Sequence, residues 1–297
     1  MSEARPAPET VRVAAIQMNS LGEVDPNLAR AGDLLADAAR RGARLAVLPE
    51  NFALMGAHAT DKLHAAEPDG PGNDPGNNPG NNPGNNNTPI QDFLSQTAAE
   101  HGLWIAAGTI PIASPEADRV YPALCVYDDT GQRVARYDKI HLFDVGLPDS
   151  AEAYRESATF MAGSNPPMVI DSPFGRIGLS ICYDLRFPEL YRRLAADGAE
   201  IVVAPSAFTY TTGTAHWHIL VRARAVENLV TMIAPNQAGH HASGRRTYGH
   251  SVICDPWGQV QSEARSEANE VVIADIDRTR AAKLREGFPC LTHRRLA

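Results

Sequence analysis

The sequence predicts an α/β fold with mixed sheets, and three observations carry that prediction. In the first third of the chain, β-branched apolar runs alternate with stretches of helical apolar spacing. The middle changes to hairpin signals, with turns at DDTG and SPFG. Strand and helix patterns then return together, so two sheets are expected to share an inner core while helices cover their outer faces.

The elements follow in order. Residues 11–18 (VRVAAIQM) read as a buried strand. A helix follows, with Asp25 as N-cap, Pro26 at its first position, and Leu28, Ala31, Leu35 and Ala38 on one face. Gly42 ends it, and the strand LAVLP at 45–49 delivers Glu50 at its carboxyl end. T-x-x-Q from Thr88 to Gln91 has the form of a capping box; its helix runs to about His101, Gly102 stops it, and LWIAAG is the next strand. YPALCVYDD and QRVARYDK form the first hairpin, and SPFG turns the second into RIGLSI. A helix at 188–196, the strand EIVVAPS and a longer helix at 215–229 come next. Strands flanking DPWG, the strand EVVIADID and a last short helix complete the order.

Residues 71–87 stand apart, a P-G-N-N repeat without an apolar residue. With nothing to bury, such a tract cannot offset its ordering entropy, and it is expected to be a flexible insertion. The organisation expected is a tail at 1–10, a single domain over 11–285 and a second tail at 286–297.

Composition narrows the function. A formal charge of -8 argues against nucleic acid or an anionic membrane as partner, because both require a basic footprint. An anionic substrate must then be met by a few local arginines. MSEARPAPET has no apolar core of a signal peptide, and no later run is long enough to span a bilayer, so a cytoplasmic location is expected. Four cysteines, at 125, 182, 254 and 290, form no C-x-x-C pair. His240 and His241, and His216 and His218, lack a third ligand at a recognisable spacing, so no metal is expected.

Cys182 closes the apolar run RIGLSIC and could be a small core residue or a nucleophile. Glu50 and Lys139 also end predicted strands, and strand ends on one rim can converge. A cysteine needs a neighbouring base or positive charge to react near neutral pH. Glu50 could take the proton, and Lys139 could favour the thiolate. Singly, Lys139 reads as a solvated strand-end lysine and Glu50 as a turn carboxylate.

The motifs LPENF, YDKIHLFD and SICYDLRFPELYR, in that order, resemble those of the carbon-nitrogen hydrolase (nitrilase) superfamily. The resemblance runs from VRVAAIQM to the QVQ and IDRT segments and omits the P-G-N-N tract. It implies a four-layer α-β-β-α sandwich that dimerises, an amidase activity without cofactor, and a Glu-Lys-Cys triad. By the same resemblance Cys182 is the nucleophile, Glu50 the general base and Lys139 the cation beside the oxyanion. The backbone N–H of Tyr183 would be the second oxyanion donor, and Glu156, in YRESATFMAG, would orient Lys139 and Glu50.

Within the superfamily the chain resembles the Nit branch, and inside it the deaminated glutathione amidases, through HLFDVGLP, ESATFMAG, PSAFTYTTGTAHWHILVRARAVEN and NQAGHHASGRRTYGHSVICDPWG. That implies a small anionic amide as substrate, with Arg186 meeting its carboxylate and Phe208 forming an apolar wall. Other readings are an ω-amidase acting on 2-oxoglutaramate, an N-carbamoyl-amino-acid hydrolase, and a non-catalytic scaffold. One departure concerns the second motif: Pro122 stands where the family usually has asparagine, which is expected to loosen a nearby turn.

Overall fold

Small and branched apolar residues follow one another without a polar break in 13–16, so this strand needs apolar cover on both faces. The computed structural model, which describes residues 10–58, 60–70, 88–146, 153–164 and 166–295, supplies it. The order is β1 (Thr10–Gln17), α1 (Val24–Arg40), β2 (Leu45–Leu48), α2 (Asp61–His64), α3 (Pro89–His101), β3 (Trp104–Ala113), β4 (Val120–Tyr127) and β5 (Arg133–Asp138). Then come β6 (Asp144–Gly146), β7 (Ala153–Arg155), β8 (Val169–Ile170), β9 (Ile177–Leu179), α4 (Pro188–Ala196), β10 (Ile201–Val203) and α5 (Tyr210–Asn228). The chain closes with β11 (Thr231–Ala234), β12 (Ala238–His240), β13 (Arg246–Tyr248), β14 (Val252–Cys254), β15 (Val260–Glu263), β16 (Glu270–Asp277) and α6 (Arg278–Gly287).

Two six-stranded sheets result, ordered β16-β1-β2-β3-β4-β5 and β15-β14-β11-β10-β9-β8. In each, three neighbouring strands are parallel, β1-β2-β3 and β9-β10-β11, and the remaining pairings are antiparallel. Val13, Val47 and Val126 face inward and join Leu179, Ile233 and Ile253 of the second sheet, which α4 and α5 cover through Leu194 and Trp217. Ala14, Ile16 and Leu48 face outward, against Leu35 of α1 and Leu94 of α3. The layers are therefore α-β-β-α, as expected. Where the sheets meet, space is tight: a Cβ on Gly108 would lie 2.3 Å from Pro205 Cβ.

Two helix starts, and the capping of a third, differ from expectation. Asp25 lies inside α1, whose N-cap is Glu23 with no side-chain cap bond. The buried Asn27 holds that entry instead, donating to the carbonyls of Leu21, Glu23 and Ala53 and accepting from the Leu21 N–H. Thr88 and Gln91 form no capping box: Glu67, distant in sequence, accepts from the backbone N–H groups of Ile90 and Gln91 at 2.5 and 3.2 Å. A carboxylate at a helix N-terminus satisfies the same orphan donors with better electrostatics. α5 starts at Tyr210, earlier than the apolar spacing indicates, because Thr209 caps it by accepting from Thr212 N–H at 3.1 Å.

Pro122 does not loosen its surroundings. Lys139 N–H donates to Pro122 O at 3.1 Å, and Lys139 O accepts from Gly163 N–H at 2.8 Å. The acceptor that a residue-122 N–H would otherwise reach across the ladder is thus already used. Gly163 is required there, since a Cβ would fall 2.3 Å from Asp138 O.

The P-G-N-N tract at 71–87 lies outside the described residues, but its anchors do not. A Cβ on Gly70 would lie 3.2 Å from Thr88 Cγ2, so the chain leaves and re-enters the fold at one point.

Candidate active site

Glu50, Lys139 and Cys182 follow strands on a common rim, two from the first sheet and one from the second. Glu50 sits just past β2, and the next residue turns the chain: Asn51 has φ +62°, a left-handed conformation that asparagine tolerates. Thr109 Oγ1 accepts the Asn51 N–H at 3.1 Å, and Gln237 Nε2 donates to Glu50 O at 3.1 Å. The Glu50 carboxylate is thereby fixed in the interior, 3% exposed.

Lys139, one residue past β5, is fully buried. It donates to Glu50 Oε1 at 2.7 Å and to Glu156 Oε2 and Oε1 at 2.8 and 3.1 Å. Glu156 also accepts the Phe143 N–H at 2.8 Å. It therefore meets Lys139 as expected, and reaches Glu50 through the shared ammonium.

Cys182 has φ +47°, which only a well-supported turn can hold in a non-glycine residue. Asp184 is the support. Fully buried, it accepts from Ile181 N–H at 2.8 Å, Tyr137 Oη–H at 2.8 Å and the His141 ring, whose Nδ1 is 2.7 Å away. The His141 ring in turn stacks on Phe187, centroids 3.6 Å apart. Cys182 N–H donates to Pro205 O at 2.9 Å, tying the turn to the loop after β10. Among the described residues, the neighbouring Tyr183 N–H has no hydrogen-bond acceptor.

The charges settle in one arrangement. Burial pushes the Glu50 carboxyl up, but the Lys139 charge and hydrogen bond outweigh it and hold Glu50 below the usual carboxylate range. Burial pulls Lys139 down, and the two carboxylates outweigh that and raise it. Burial first, then the Glu50 charge, push the Cys182 thiol up; Lys139 and the Ala207 N–H pull the other way without prevailing. The rest state is thus carboxylate, ammonium and neutral thiol. Lys139 favours the thiolate as expected, but a base must still remove the proton.

Cys182, Glu50 and Glu156 open on one cavity, together with Tyr183, Arg186 and Phe208. Phe208 is buried against Trp217, ring centroids 4.9 Å apart. Arg186 lays its guanidinium 5.5 Å from the Phe208 ring centre and 3.3 Å from His216 Nδ1. Every site residue expected from the sequence therefore lies at this cavity or, for Lys139, directly behind it.

The matching family profile is Carbon-nitrogen hydrolase, over residues 12–286. The chain belongs to the carbon-nitrogen hydrolase family. As a carbon-nitrogen hydrolase it is an amide-hydrolysing enzyme. It is 42% identical over 283 residues to a deaminated glutathione amidase of Synechocystis sp., covering 95% of this chain and 97% of that one. The NitFhit protein of C. elegans superposes with a TM-score of 0.85 at 33% identity, over 97% of this chain and 66% of that one. Nit3 of Saccharomyces cerevisiae, of branch 10 of the nitrilase superfamily, superposes at 0.82 and 29% identity, over 99% and 100% of the two chains.

Sequence reasoning missed Asp184, the Ala207 N–H and Arg245. Asp184 had a signal, an acidic residue directly behind an apolar strand and between Tyr183 and Leu185. Arg245 reaches the cavity from a loop after β12; it lies inside the stretch NQAGHHASGRRTYGHSVICDPWG, but nothing in that stretch assigns it to the cavity. Among the described residues, one group brings possible metal ligands within 4.8 Å of one another: His218, His250 and Glu263. Glu263 Oε1 already accepts from both rings, at 2.8 and 2.7 Å. No described helix is long and apolar enough to cross a membrane.

Proposed function

We propose that the chain hydrolyses the amide of deaminated glutathione to 2-oxoglutarate and Cys-Gly, through a thioester on Cys182. Glu50 takes the thiol proton as Sγ bonds to the amide carbon. The carbonyl oxygen becomes an oxyanion, met by Lys139 Nζ and the free Tyr183 N–H. When the C–N bond breaks, Glu50 returns the proton to the departing amine. Water then attacks the thioester, Glu50 accepts its proton, and the thiol regains one as the carboxylic acid leaves. Glu156 holds Lys139 in place throughout.

The observation that carries the substrate is the 42% identity to the Synechocystis enzyme over nearly the whole of both chains. The cavity supports it: Arg186 offers a planar fork to the 2-oxo acid carboxylate, and Phe208 walls its carbon chain. Steady-state hydrolysis of deaminated glutathione, 2-oxoglutaramate and intact glutathione is the test. Deaminated glutathione is expected to have the highest kcat/KM, and intact glutathione to be poor because its ammonium would face Arg186. Arg186→Lys is expected to raise KM for deaminated glutathione about tenfold or more, since a point charge replaces a two-pronged grip. A higher kcat/KM on 2-oxoglutaramate would replace this reading with an ω-amidase; an unchanged KM would remove Arg186 from it.

We further propose a cytoplasmic homodimer. The four cysteines are free, as in a reducing compartment. Ile219 and Val226, on one face of α5, are 69% and 45% exposed, and Val226 lies beside the turn bearing Trp257, which packs edge-on with the exposed Phe288. Such a patch on an otherwise charged surface fits a second copy of the chain. Sedimentation at twice the 32.0 kDa of one chain is expected, falling to one chain in Ile219→Asp/Val226→Asp. A wild-type protein sedimenting as a monomer would end the proposal.

A further inference from the structure

Arg245 stands at a seam. It lines the cavity that holds Cys182, and it also lines a wider groove outside it, with Glu156 the other acidic or basic residue common to both. The groove is basic on an acidic protein: Lys62, Arg155, Arg245 and Arg246 line it, and Glu156, already engaged by Lys139, is its one acidic residue among those described. Two of these groups are committed elsewhere: Lys62, which burial pulls down to about 7, to Asn51 Oδ1 and Leu54 O, and Arg246 to Glu267. Arg245 has no carboxylate partner among the described residues. One prong of its guanidinium donates to Ala207 O and its face covers Tyr154, 5.2 Å from the ring centre, but its Nε, like that of Arg246, is buried without a hydrogen-bond partner among the described residues. A buried donor of this kind is costly to leave unmade and calls for an acceptor.

Resting on the substrate class proposed above, we propose that the groove holds the C-terminal carboxylate of a dipeptide leaving group, with Arg245 as the residue that selects for it. A substrate of that class carries two carboxylates, one on each side of the scissile bond. Arg186 is placed for the acyl side. The second carboxylate lies two residues beyond the scissile nitrogen, about 7 Å for an extended chain. That reach leads out of the catalytic cavity and past Arg245 into the groove. A primary amide, whose leaving group is ammonia, has nothing to place there.

The test compares deaminated glutathione with the same molecule bearing a C-terminal glycine amide, which keeps the scissile bond, the thiol and the oxo acid. The full-length wild type is expected to prefer the free acid by at least 20-fold in kcat/KM. Arg245→Gln should reduce that preference to twofold or less, and Arg245→Lys should retain an intermediate preference. A wild type indifferent to the amide, or an Arg245→Gln variant that keeps the preference, overturns the proposal. If the wild type hydrolyses neither compound, the substrate reading fails by itself, and binding of the dipeptide decides the groove. Calorimetry should then show Cys-Gly bound at least tenfold more tightly than Cys-Gly amide by wild type and equally by Arg245→Gln. Equal binding of the two by wild type overturns the proposal.

Discussion

Cys182→Ala is expected to lose amide hydrolysis by about 10⁴-fold or more while remaining folded. Nothing else in the cavity replaces the thiol: the other cysteines lie elsewhere, and burial pushes Cys125 and Cys254 up to about 12. Glu50→Gln should approach the same loss, because the resting thiol is neutral and the carboxylate placed to take its proton would be gone. The backbone adds a second, independent readout. With φ at +47°, residue 182 carries a left-handed strain of about 1 kcal/mol that glycine does not feel. Cys182→Gly should therefore unfold at or above the temperature of Cys182→Ala, although it removes one more carbon. Turnover by Cys182→Ala, measured in protein free of wild type, would sink the covalent mechanism; a Cys182→Gly protein melting clearly lower would sink the strain argument.

Lys139→Met should cost both activity and stability. It removes an oxyanion donor, worth roughly 10² to 10³ in rate. It also leaves Glu50, and Glu156 beside it, without the buried cation they share. Breaking a buried pair from one side costs about 3 to 5 kcal/mol. The pH dependence separates this from simple loss of packing. In the wild type the Glu50 carboxyl lies low, so its contribution to stability is present above the unfolded value and lost as pH falls through the folded one. Without Lys139, burial, the largest influence on Glu50, is opposed by the Cys182 thiol and Arg245 only, and it raises the carboxyl, so the folded state binds the extra proton and stability falls as pH rises. Thermal unfolding at pH 5 and pH 7 should show the variant gaining stability at the lower pH relative to wild type. Parallel pH responses would mean that the ion pair does not carry the effect.

Much of this was legible in the sequence because proline, glycine and apolar spacing act locally. Pro188 sets the start of α4, and that helix spans the residues expected. The rim residues Glu50, Lys139 and Cys182 were legible as strand ends, and their meeting was implied by the ordered motifs. The capping of α3 failed because a distant group does it: Glu67 is 23 residues from Ile90, and no local pattern announces it. Arg245 failed for the same reason, since a loop arginine becomes part of a cavity only when two sheets and their connections have packed. Asp184 was printed inside a recognised motif, yet its work, holding the Cys182 turn through Tyr137 and His141, is visible only once those side chains converge.

The contact between the sheets also sets the alignment of the reacting atoms. Glu50 and Lys139 ride on the first sheet, Cys182 on the second, and Gly108 against Pro205 leaves no room for even one methyl group where the two press together. Each sheet keeps its own hydrogen-bond ladders, whereas the distance from thiol to carboxylate belongs to neither. A lateral slip of about 1 Å, which would leave every strand paired, is enough to cost about 100-fold in rate. Turnover is therefore a finer gauge of how the two halves are registered than any measure of secondary structure, and it should fade under heat or denaturant before the sheets themselves come apart.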